Sequence, residues 1–154
     1  MSTIYETLLT DLKKALKAKD TARLQVLRSI KAKLMEKEIS ERKGGKVSLN
    51  QEQVQEVLMK AAKQRRDSIA QYSEAGRSDL AESEEYELKI IESYLPEMLS
   101  EEEIQVLATQ IIRQTQASSL ADMGKVMGIL MPQVKGKVDG AVVNRIVREL
   151  VNKL

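Results

Sequence analysis

The chain of 154 residues contains no cysteine, histidine, tryptophan or phenylalanine. Without a thiol there is no disulfide and no redox motif. Without imidazole or thiolate, zinc, copper and haem sites lose their usual ligands, so no metal and no cofactor is expected. Nucleophile–base pairs of the Ser–His or Cys–His kind are excluded, as is a histidine general base working near neutral pH. Chemistry by Lys, Asp, Glu, Ser or Tyr stays open, but no catalytic residue stands out. No stretch approaches 18 uninterrupted apolar residues, so no membrane span is expected. The start, Met1 to Glu6, lacks a basic segment followed by an apolar run, and a signal peptide is not expected. Ser2 stands where a myristoylation signal requires glycine. The expected setting is cytoplasmic.

Proline and glycine are also scarce, at two and seven residues. With few breakers and almost no β-branched alternation, helical periodicity dominates. The formal net charge is only +2, but it is unevenly spread: +6 over residues 1–76, −8 over 77–103 and +4 over 104–154. A basic–acidic–basic pattern makes a local patch a better guide to partners than the overall charge.

The pattern predicts an all-α chain of seven helices. The first runs from Ser2 to Lys17, with Ile4, Leu8, Leu12 and Ala15 inward. Asp20 caps a second, which buries Leu24, Leu27, Ile30 and Leu34 and ends near Lys43-Gly44-Gly45. Ser48-Leu49-Asn50-Gln51 reads as a capping box opening a third helix that ends at Gly76. A fourth is closed by Pro96. Ser100 to Glu103 is a second capping box, placing three acids where the helix dipole favours them. The sixth helix holds Met123, Val126, Met127 and Leu130 and is closed by Pro132. The seventh starts near Asp139 and buries Val143, Ile146, Val147, Leu150 and Leu154. The Leu95-Pro96 junction divides a four-helix N-terminal part (1–95) from a C-terminal three-helix bundle (96–154).

Arg65 lies on the apolar stripe of the third helix, beside Val54, Leu58, Ala61, Ile69 and Tyr72. A charge there needs a partner. The acidic fourth helix offers Glu82, Glu84 or Glu85, which makes Arg65 a structural ion pair; a bound phosphate or carboxylate is the other reading. Lys60, Lys63 and Arg66, and likewise Lys31, Lys33 and Lys37, read first as solvated helix faces and second as contacts for a polyanion.

The most specific stretch is Asp122 to Leu150. Gly124 and Gly128 stack one turn apart on the flank of the sixth helix, each at a cost of ~1 kcal/mol against alanine. Something must approach the backbone there: another helix of the bundle, or a ligand. Gly136 belongs to the same close-approach set. Lys135 and Lys137 stand beside the start of the seventh helix, where free N–H groups favour phosphate. Lys125 is outward on the sixth helix, and Arg145 and Arg148 lie opposite the buried stripe of the seventh. These five cations could form an RNA-binding surface or a solvated one. All four tyrosines precede residue 95, so base stacking is not expected there, and recognition would be of backbone and shape.

Gly124, Val126, Gly128, Met131, Lys135-Gly136-Lys137, Asp139, Val143-Asn144 and Glu149-Leu150 resemble the tail domain of the B subunit of glutamyl/aspartyl-tRNA amidotransferase. Asp20, Arg23-Leu24, Leu27-Arg28, Arg65-Arg66-Asp67-Ser68-Ile69, Ala75 to Leu80 and Tyr94-Leu95-Pro96-Glu97 are similar to the stand-alone YqeY-type proteins of the same GatB/YqeY family. The resemblance implies a tRNA-contacting end. The amidase Ser–Ser–Lys site and the B subunit's catalytic cradle have no counterpart here, and a carbon–nitrogen ligase label with glutamine as amido-N-donor would attach only through the shared domain. The expectation is a non-catalytic tRNA-binding module; the alternative is a protein-interaction module docking on a tRNA-charging or amidotransferase partner.

Overall fold

A computed structural model describes residues 3–42, 45 and 48–154. It is all-α, as expected, with seven α-helices among the described residues. They are α1 (Thr3–Lys17), α2 (Thr21–Glu41), α3 (Gln51–Glu74), α4 (Ser78–Glu92), α5 (Glu101–Thr115), α6 (Met123–Val134) and α7 (Gly140–Asn152). A short 3-10 turn, Leu120–Asp122, precedes α6. The chain forms two compact units, Met1–Pro96 and Glu97–Leu154. The Ser2 start and the Lys43-Gly44 stop lie outside the described residues.

The first unit is held by local signals. The Asp20 carboxylate accepts from the Arg23 N–H at 3.2 Å and caps α2. The box that opens α3 is set by Asn50 and Gln53 rather than by Ser48: Asn50 accepts from Gln53 N–H at 2.8 Å, and the Gln53 side chain accepts from Asn50 N–H at 3.0 Å. The α3–α4 turn satisfies the last carbonyls of α3, with Arg77 N–H donating to Tyr72 at 2.8 Å and Gly76 N–H to Ser73 at 3.2 Å. Gly76 supplies the left-handed residue that this closure needs, at φ +71°. Helix α4 ends at Glu92, ahead of the expected stop at Pro96. Leu8, Leu27, Leu34, Leu49, Val54 and Leu58 form the fully buried centre of this unit.

The second unit packs α5, α6 and α7 around Ile104, Ala108, Val126, Leu130, Val134, Val143, Ile146 and Val147, all nearly inaccessible. The Ser100–Glu103 box is present at α5. Two expectations are corrected. Pro132 lies inside α6, which continues to Val134. The helical bond that proline cannot make leaves the Gly128 carbonyl without its usual partner, and both residues face solvent, where water can serve it. At the end of α7, Val151 takes the buried position, Leu150 is half-buried and Leu154 is exposed.

Candidate nucleic-acid interface

The candidate surface is carried by α6, the loop after it and α7. Helix α6 buries Val126, Leu130 and Val134. The 100° step then places Gly124, Lys125, Gly128, Ile129 and Pro132 outside, and all five are exposed. A Cβ added at Gly124 or Gly128 would meet nothing within 4 Å. Among the described residues, no other helix of the second unit therefore packs on these glycines, and packing within that bundle does not explain them. They leave a strip of helix backbone open to solvent. Gly136 has a different explanation: at φ +81° it turns the chain, so its freedom is conformational.

Lys135 ends α6 and Lys137 follows in the same loop, both exposed. The loop is tied down by the Lys137 N–H donating to Val134 at 3.0 Å and by the Lys137 carbonyl accepting from Leu99 N–H at 2.9 Å. The N-terminus of α7 is not an open phosphate site. Its cap, Asp139, accepts from Ala141 N–H at 2.9 Å, and its carboxylate places negative charge where an anion would sit.

Arg145 also departs from expectation. Its guanidinium lies 2.5 Å from Glu101 on α5 and 3.6 Å from Glu149 one turn along α7. It is a cation already matched by carboxylates. Arg148 and Lys137 form no ion pair among the described residues. Lys125 lies at the far end of α6 from Lys135, roughly 15 Å along the axis at 1.5 Å per residue. It stands near Asp122, whose carboxyl is held below its usual range first by the backbone N–H groups of Ser118 and Ser119. The structure thus joins Lys135 and Lys137 in one loop, sets Lys125 apart and pairs Arg145 internally. The partner that sequence reasoning missed is Glu101. It is 44 residues from Arg145, and its only local signal is a place among the acids in the first turn of α5.

In the first unit Arg65 pairs with Glu84 at 3.1 Å and with Glu87 at 2.8 Å. Glu84 was among the expected partners; Glu87 takes the place of Glu82 and Glu85. The hydrogen bond goes to Glu87. The Arg65 Nε and Glu84 Oε2 are buried without a hydrogen-bond partner, so Glu84 contributes charge proximity alone. Arg66 lies 3.6 Å from Glu92, again joining α3 to α4. Three acids of the acidic segment, Glu84, Glu87 and Glu92, are therefore matched to α3 within the unit.

These features define a class: an all-α protein of two helical units, the second carrying exposed lysines and an open helix backbone. A family model described as Yqey-like protein matches residues 5–151, and the chain belongs to that family. It is 32% identical over 144 residues to altered inheritance of mitochondria protein 41, mitochondrial, of Candida glabrata, covering 90% of this chain and 74% of that protein. The protein of the same name from Kluyveromyces lactis is 35% identical over 132 residues, covering 84% of this chain but 65% of its own length. A 61-residue stretch is 38% identical to a glutamyl-tRNA(Gln) amidotransferase subunit of Methanobrevibacter smithii, covering 37% of this chain and 10% of that relative. No helix among the described residues is long and apolar enough to cross a membrane.

Several residues that carried the N-terminal resemblance have structural tasks. Asp20 caps α2, Gly76 turns the α3–α4 hairpin, and Arg65 ties α3 to α4. Arg77 holds Asp79 through two hydrogen bonds, of 3.1 and 3.2 Å, and this contact keeps the Asp79 carboxyl below its usual range.

Proposed function

We propose that the C-terminal unit binds the sugar–phosphate backbone of tRNA and performs no chemistry of its own. The observation that carries this reading is the open face of α6. Gly124 and Gly128 present backbone with no side chain and no packed neighbour, next to Lys125 and continuous with the Lys135–Lys137 loop. A phosphate chain can approach such a strip more closely than it can a face covered by side chains. The tRNA-dependent name of the partial relative from Methanobrevibacter smithii supports the choice of RNA. The lack of aromatic residues after Tyr94 favours contact with backbone over stacked bases. Arg145 contributes least, because binding through it means giving up Glu101. A cytoplasmic setting is part of the proposal; the word mitochondrial in the names of the fungal relatives belongs to those proteins.

The test is binding of the full chain to total tRNA across a salt series, beside Lys135→Glu/Lys137→Glu. Four phosphate contacts, from Lys125, Lys135, Lys137 and Arg148, would give a log–log salt slope of about −3, and the double variant should lose roughly half of it. Arg145→Ala should change affinity little. Absence of tRNA binding at low salt in a folded protein would sink the reading and turn attention to a protein partner from the tRNA-charging or amidotransferase machinery.

A further inference from the structure

Within the first unit, α2 and α3 leave a cleft of about 470 Å³ between them. Lys33 and Lys37 look into it from successive turns of α2, and Lys60 and Gln64 from successive turns of α3. Val57 and Ala61 supply an apolar floor. The Lys33 ammonium donates to Gln64 Oε1 at 3.3 Å, which links the two walls.

Among the described residues, Lys33 and Lys60 have no ion-pair partner. Lys33 has a neutral amide as its hydrogen-bond partner. Lys37 turns to Glu41, which is not among the lining residues. Two carboxylates, Glu36 and Glu56, share the lining but pair with none of the three lysines within 4 Å. Behind Lys33 stands Arg65. Burial first, and then that guanidinium, hold the Lys33 ammonium below its usual range, against the opposing pull of Glu87, Glu36 and Glu84. An incoming negative group would relieve this crowding. Gln64 accepts through Oε1, which leaves its NH₂ group to donate.

We propose that the α2–α3 cleft is a binding site for a small molecule carrying a phosphate or carboxylate on a compact apolar body, with Lys33 and Lys60 as its charge partners and the Gln64 amide as a donor. The volume lies in the range of ordinary ligand pockets, and an apolar floor with a few polar groups on the walls is their usual make-up. The site is independent of the tRNA reading, since every residue in it belongs to the first unit.

Phenyl phosphate and benzoate share one apolar body and differ in the anionic head; benzamide is the neutral control. Each is titrated into the isotope-labelled full chain while the Gln64 side-chain amide signals are followed by NMR. The expected result is a saturable shift with at least one of the two anions, with a midpoint below about 1 mM, and weakening of about tenfold or more in Lys33→Gln and in Lys60→Gln. Lys13→Gln on α1 should leave the midpoint unchanged. Whichever anion saturates identifies the head group. A non-saturating shift, an equal response to benzamide, or unchanged midpoints in both cleft variants would overturn the proposal. So would signals that respond to tRNA alone, which would make the cleft an RNA surface.

Discussion

The Tyr94 phenol donates a hydrogen bond of 2.5 Å to Oδ2 of Asp11, joining the segment after α4 to α1 across 83 residues of sequence. Tyr94 is buried and Asp11 is half-buried, so the bond ties the segment that follows α4 to α1.

Removing that phenol oxygen tests its weight. Tyr94→Phe should lower the unfolding free energy by about 1 kcal/mol in urea titrations, since water can replace the phenol at the half-buried Asp11. The tyrosine is held above its ordinary value of 10.0, first by burial and then by Asp11, with Arg23 acting in the opposite sense. A raised folded value means that this contribution is complete below pH 10 and is lost as pH rises through the folded value. The stability gap between wild type and Tyr94→Phe should therefore be flat from neutral pH up to about pH 10 and shrink beyond it. A gap that stays unchanged well beyond pH 10 would show that the phenol proton does not hold this contact.

Arg65 holds two carboxylates on α4, and its side chain is only 25% exposed. Arg65→Met keeps much of the packing volume and removes the charge. It should destabilise by about 2 kcal/mol, because Glu84 is left half-buried without its ion-pair partner. Adding Glu84→Gln should recover part of that loss. No recovery in the double variant would place the cost in packing rather than charge.

The glycines of the second unit divide by conformation. Gly124→Ala and Gly128→Ala put a methyl into open space on a helix, and each should raise stability by about 0.5–1 kcal/mol. Gly136→Ala forces an L side chain to φ +81° and should lower stability by about 1 kcal/mol. If the α6 strip is an RNA contact, the two helix variants should bind tRNA more weakly while melting at higher temperature. Unchanged affinity would separate the strip from the binding surface.

Arg65 shows how far sequence can go in finding a partner. Its place on an apolar stripe announced an ion pair, and the acidic helix after Gly76 announced where the partner would be found. Choosing among the acids required the orientation of α4. Glu84 and Glu87 lie three residues apart on one face, whereas Glu82 and Glu85 fall elsewhere around the helix. The cation list was less legible. Lys125, Lys135, Lys137, Arg145 and Arg148 are all exposed, but the ion pair of Arg145 with Glu101 spans 44 residues, and nothing near Arg145 in sequence but Glu149 hints at it.

By itself the sequence determined the helices, most of their caps and the inward stripes. Those features arise from contacts within a few residues, through the 3.6-residue period and the side chains of Asp20, Ser100 and Asp139. It also determined, through the missing histidine and cysteine, which ligand sets and catalytic pairs the chain cannot build. Only the tertiary structure decided that Gly124 and Gly128 face open space, that Arg145 is taken by Glu101, that Tyr94 reaches Asp11, and that Lys33 and Lys60 share a cleft. Each of these depends on which helix faces meet, and that choice is made by the summed burial of many apolar side chains rather than by any local signal.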